Sequence, residues 1–252
     1  MKKLLILGMM VLFLSSLIAV ESEPSDVVGF VKIEAQNNNY TAFALPFDLD
    51  GESIPDMFGG ANPIINGGFP SSVADEIIEQ GTGSSAWFKI GGPGPQNVWT
   101  GSLTVADEER AYQLKNLGAE SIIFYLCGKV STDNVSFTFD FPANAYTSLG
   151  FREASAVSVE DLGLLEAGFT GGFPAGLADE LIEQGTGNTA WYKVGGPGPQ
   201  NIWTGGLTEL TPGKAYTIKI VNGNPGISGY TYVHPTVRSK NTNRKNNKRS
   251  GK

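Results

Sequence analysis

The sequence predicts a mainly β protein, sandwich-like or α+β, built from two duplicated β-rich domains that each carry one short amphipathic helix. A long stretch occurs twice: Gly-Gly-Phe-Pro from Gly67 and GTGSSAWFKIGGPGPQNVWTG from Gly81 return as Gly-Gly-Phe-Pro from Gly171 and GTGNTAWYKVGGPGPQNIWTG from Gly185. The offset is constant, and all four tryptophans fall at matched positions, Trp87 with Trp191 and Trp99 with Trp203. Glycine is abundant, at 33 of 252 residues, and charge is sparse, which suits turns and strands better than long helices. Two copies of one supersecondary unit point to duplication, and two are too few for a solenoid.

The chain opens MKKLLILGMMVLFLSSLIAV. A basic start, an apolar run and small residues near Ala19 read as a signal peptide over 1–20. The run is short of the ~20 residues of a membrane span. From Val27, VVGFVKIEAQ and NNNYTAFALPF read as strands, with Asn37-Asn38-Asn39 as the turn between them. In SSVADEIIEQ a Ser cap, Val73, Ile77 and Ile78 at helical spacing, and a stop at Gly81 predict the amphipathic helix, with AGLADELIEQ as its twin. On that reading Asp75, Glu76 and Glu79 (Asp179, Glu180 and Glu183) form a solvated helix face rather than an acid–base pair. AWFKI and NVWTG follow as strands joined by the stiff loop GGPGPQ. Thr211-Pro212-Gly213-Lys214 is a type II turn before the strand AYTIKIV. ESIIFYLCGKV and NVSFTFDF carry copy one into copy two. The repeats span 26–130 and 131–236, and a basic tail, expected to be disordered, covers 237–252.

Several chemistries are excluded by composition. The chain has one cysteine, Cys127, and one histidine, His234, too few for a catalytic triad or a zinc site. Gly81-Thr82-Gly83-Ser84-Ser85-Ala86 fits the letters of a dinucleotide fingerprint, but helix precedes strand there, the reverse of the required order. GGPGPQ lacks the Lys-Ser or Lys-Thr of a phosphate loop, and its prolines delete backbone donors. No cofactor and no metal are expected. Acidic residues outnumber basic ones by 25 to 18, yet none follows Glu209, and Arg238 to Lys252 is strongly basic. An acidic body argues against nucleic-acid binding. The tail suits an anionic polymer.

Pairing AWFKI with NVWTG across the loop sets Phe88 opposite Trp99 and Trp87 opposite Thr100. Phe88, Ile90 and Trp99 then share the apolar face, and Trp87 shares the other with Lys89. Trp87, Gln96 and Asn97, with Trp191, Gln200 and Asn201, are therefore the candidate ligand-binding residues: indoles for stacking, amides for hydroxyls. No catalytic residue is identified.

TAFALPF, ADEIIEQ or ADELIEQ, AWFKI with NVWTG, and TPGKAYTI together resemble a β-rich module repeated in large secreted and cell-surface proteins of bacteria. The chain departs from that pattern at Ala111 and Ala215, where the module has Gly before Tyr, and at SLGF, where it has Leu-Pro. The resemblance implies a non-catalytic surface or appendage protein. An exported structural or adhesive protein of the cell surface or matrix is the expected role. A carbohydrate-binding module is the alternative, and a hydrolase, needing two carboxylates across a cleft, the third. Polysaccharide or other surface proteins are the expected partners, with no nucleic acid and no membrane span after signal removal.

Overall fold

The computed structural model describes residues 28–49, 51–130 and 136–233; the expected signal peptide and basic tail lie outside them. The protein is mainly β, with several antiparallel sheets. In the first half, β1 (Val28–Ala35) pairs with β7 (Ile122–Lys129). A five-stranded sheet runs in the order β2 (Asn39–Ala44), β6 (Ala111–Asn116), β3 (Glu76–Glu79), β4 (Ser85–Lys89), β5 (Val98–Gly101). In the second half, β8 (Ser136–Pro142) pairs with β16 (Gly226–Val233). Its five-stranded sheet is ordered β9 (Tyr146–Gly150), β15 (Ala215–Lys219), β11 (Glu180–Glu183), β12 (Thr189–Lys193), β13 (Ile202–Gly205). A two-residue ladder joins β10 (Val157–Ser158) to β14 (Glu209–Leu210), and the bridge Ser53–Val105 holds the matching place in the first half. The two halves thus share one strand order, and every ladder among the described residues closes within its own half.

The alternation of each strand explains the layering. Ile33 and Ala35 of β1 and Phe124 and Leu126 of β7 face Phe43, Ile77, Ala86, Tyr112 and Leu114 of the large sheet, giving a sandwich-like core. Phe137, Phe139, Phe141, Tyr230 and Tyr232 do the same over Leu149, Leu181, Tyr216 and Ile218. Tyr112 and Tyr216 are fully buried, and each hydroxyl accepts a backbone N–H five residues upstream, from Asp107 (2.7 Å) and Thr211 (2.6 Å). The residue after Ala111 or Ala215 therefore ties its strand to the preceding turn.

The expected helix over SSVADEIIEQ does not form, nor does its twin. A single 3-10 turn covers Ser71–Val73, and Glu76–Glu79 is the central strand of the sheet; in the second half the turn is Ala175–Leu177 and the strand Glu180–Glu183. Each half does carry one short helix, placed elsewhere: α1 (Ile54–Met57), capped by Ser53, and α2 (Leu164–Ala167). Nor does Asp75 belong to a solvated helix face. It is fully buried, and its carboxylate accepts from the Asn66 backbone and side chain (2.7 Å each) and from Leu117 N (2.7 Å). Asp179 likewise binds Thr170 N (2.7 Å), Val221 N (2.8 Å) and Asn224 Nδ2 (2.5 Å). A buried carboxylate is tolerated here because donors from two loops surround it.

The halves meet through equivalent residues. Ala44, Ala111 and Ala215 form one buried cluster. Ala44 N donates to Gly213 O (3.0 Å), and at the matching position Gly150 N donates to Glu109 O (3.1 Å). Gln80 Nε2 donates to Oε1 of its own counterpart, Gln184 (2.5 Å). A residue that touches its own repeat-mate marks an isologous, pseudo-two-fold contact. Arg152 adds an ion pair that breaks the symmetry, reaching Asp48 (2.6 Å) and Glu108 (3.5 Å) of the first half.

Candidate binding site

Each five-stranded sheet buries one face in its own core; the other face meets the opposite half at Ala44, Ala111 and Ala215 and carries a row of polar and aromatic residues further along the strands. In the row of the second half, the register sets Tyr146 opposite Lys219, Lys219 opposite Glu180, Glu180 opposite Trp191, and Trp191 opposite Thr204. The first half repeats the row as Tyr40, Lys115, Glu76, Trp87 and Thr100, with Glu76 and Trp87 one step beyond the Ile77–Ala86 pair that ends the β3–β4 ladder. Glu76 pairs with Lys115 at 3.6 Å and Glu180 with Lys219 at 2.5 Å. These pairs are mostly covered, with side-chain exposures between 12% and 22%, so water screens them less than a surface pair. Tyr40 and Tyr146 are well exposed.

The indoles lie between the ion pairs and β5 or β13. Trp87 and Trp191 are partly exposed, yet the Nε1 of each is enclosed and has no acceptor. A Cβ placed on Gly205 would stand 3.0 Å from Trp191 Cζ3. The ring therefore lies against the neighbouring strand. Gly205 and its counterpart Gly101 hold φ near 120° (121° and 123°), a region closed to other residues, and a Cβ there would fall on the carbonyl of Thr189 or Ser85. Trp99 and Trp203 occupy the opposite face. They are half-buried and pack on the cores, and Trp99 Nε1 donates to Gly60 O (2.8 Å).

The loops beside the indoles are tied down from within. Lys89 donates to Pro93 O and lies 5.1 Å from the centre of the Phe69 ring; Lys193 donates to Pro197 O and lies 5.3 Å from that of Phe173. Gln96 Nε2 donates back to Gly92 O (3.1 Å), and Gln200 to Gly196 O (3.0 Å). Asn97 and Asn201 sit in the left-handed region, at φ 55° and 57°, and close the loops through their N–H to Lys89 O and Lys193 O. The six residues expected from the sequence thus fall on two matched hairpins, Trp87 with Gln96 and Asn97 on one, and Trp191 with Gln200 and Asn201 on the other. Within each hairpin a lysine two residues beyond the indole bridges strand and loop. The amides are exposed, but each glutamine spends one donor on its own loop.

Sequence reasoning missed the tyrosine and the Lys–Glu pair of each row. The tyrosines lie in NYTAFA and YTSLG, and the signal for the pairs was the period of two in AYQLKN, AYTIK and EIIE, hidden because EIIE also fits a helix. Among the described residues, no three His, Cys, Asp or Glu side chains gather where they could hold a metal ion. No helix among them is long and apolar enough to cross a membrane. No protein-family model matches the chain, and neither the curated proteins nor the solved structures contain a match to it.

Proposed function

We propose that this is an exported, non-enzymatic protein with a structural or adhesive role at the cell surface or in the extracellular matrix. One observation carries the reading: the same Tyr–Lys–Glu–Trp–Thr row, with the same self-tied loop beside it, occurs twice, each with an exposed tyrosine at its end. An enzyme needs one site assembled to high precision, whereas two equivalent partly exposed rows favour holding a repetitive partner, because weak contacts at both multiply through effective concentration. The leader and the resemblance to bacterial surface modules support the location.

The chemistry of the row favours polysaccharide as the partner held. An indole lying on a sheet offers a flat apolar face to a sugar ring. The Lys–Glu pair, Thr100 or Thr204, and the loop amides offer donors and acceptors to hydroxyls. The mature chain, screened on a glycan array, is expected to retain a polymeric glycan. Trp87→Ala weakens that retention modestly, and Trp87→Ala with Trp191→Ala abolishes it while the fold persists. If instead each single variant lowers the melting temperature as loss of a buried Trp would, by the equivalent of about 3–5 kcal/mol, and the wild type finds no glycan, the rows are purely structural and the carbohydrate reading fails.

A further inference from the structure

The two-stranded sheets of the two halves hold equivalent places, and their outward faces differ. On β8 and β16 that face is polar and satisfied within itself. Thr138 and Thr231 hydroxyls lie 3.4 Å apart, and Asp140 accepts from Ser228 Oγ (2.9 Å) and Gly229 N (2.7 Å). On β1 and β7 the face carries four large apolar side chains among Lys32, Glu34, Cys127 and Lys129. Phe30 is 72% exposed, Val28 67%, Tyr125 56% and Ile123 47%. The register sets Phe30 opposite Cys127 and Tyr125 opposite Lys32. The matching positions in the second half make the contrast direct: Ser136 stands where Phe30 stands, and Thr231 where Tyr125 stands. The fold accepts polar residues there, so burial within the chain does not account for the aromatic ones.

We infer that the outward face of β1 and β7 is a self-association surface, occupied by the same face of a second copy. The chain's own segments outside the structure do not suit it. Once the leader is removed, Glu21 to Val27, Ser131 to Val135 and the chain from His234 bring no large apolar side chain but Val27, Val135 and Val237. Glu34, which pairs with Lys32 at 3.7 Å, lies toward one end of the face and Lys129 at the other, so a two-fold axis across the strands lays the apolar side chains of the copies together and each Glu34 end over a Lys129 end. The four exposed side chains offer an area on the order of 400 Å² per copy, within the range of a functional patch but small for a stable dimer. The association is therefore weak, with a dissociation constant on the order of 100 μM.

The test uses the whole mature chain in sedimentation equilibrium from about 10 μM to 1 mM, the range that brackets such a constant. The variant Phe30→Ser with Tyr125→Thr carries at both positions the residues its own second half uses, so the fold is preserved. The rate at which a maleimide labels Cys127, at the centre of the face, is read at the same concentrations. The wild type is expected to rise in mass with concentration while Cys127 labelling slows, and the double variant to stay monomeric with an unchanged melting temperature. A wild type that stays monomeric, a variant that associates as the wild type does, or association that leaves Cys127 labelling untouched each overturns the inference.

Discussion

Asp75 and Asp179 show how much of this fold rests on single polar atoms. Each carboxylate gathers donors from the loop before its 3-10 turn and from the loop after β6 or β15, so one side chain sets the entry and the exit of the sheet. Asp75→Ala leaves those donors buried and unmatched, and is expected to lower unfolding free energy by about 3 kcal/mol or more in urea titrations. Glu153 is a different case. It is 1% exposed beside the Tyr232 hydroxyl, and burial raises its pKa from 4.5 to about 7. Folding therefore takes up a proton between those values. The stabilisation is complete below pH 4.5 and is lost as pH rises through 7, a contribution of about 3 kcal/mol. Glu153→Gln is expected to flatten the urea midpoint between pH 5 and pH 7.5, where the wild type loses stability. A wild-type midpoint equally flat over that range removes Glu153 as the cause.

The β4–β5 hairpin was readable in advance. Alternation and the loop between AWFKI and NVWTG fix a register that places Phe88 opposite Trp99 and Trp87 opposite Thr100, as observed. The central strand was not readable. Val73, Ile77 and Ile78 satisfy a helical period, and Ile77 alone gives a four-residue strand only one deeply buried side chain to announce it. What decides is tertiary: β3 is hydrogen-bonded on both sides, by β4 and by β6, and a helix there would leave both partners' backbone groups unmet. The same limit hid the Lys–Glu pairs, which exist only once β3 and β6 are neighbours. Gly205→Ala tests how the hairpin supports its indole. With φ at 121° and Trp191 in the way, the change is expected to cost more than about 1 kcal/mol and to shift Trp191 fluorescence. An unchanged emission maximum with lowered stability would show that the backbone alone objects.

At the scale of the molecule, duplication was legible and the meeting of the halves was not. Ala44, Ala111, Ala215 and Gly150 carry no periodic signal; they matter because they are small enough for two sheets to touch. A Cβ on Gly150 would already lie 2.6 Å from Arg110 O and 2.8 Å from Ala44 Cβ. Gly150→Val is therefore expected to part the halves while each keeps its own ladders, turning one calorimetric transition into two. Arg152→Ala, which removes its ion pairs with Asp48 and Glu108, is expected to do the same more mildly. A single unshifted transition in both variants would mean that the contact contributes little to cooperativity.

The closing strand pairs also decide how the protein bears a load. In each half the first strand lies antiparallel to the last, with Val28 beside Lys129 and Ser136 beside Val233. Tension applied through the chain therefore enters both strands of a pair at the same end. It peels hydrogen bonds apart one after another, where strands pulled from opposite ends would share the strain across the whole ladder. A copy pulled from its two ends is therefore expected to yield at low force, one half at a time.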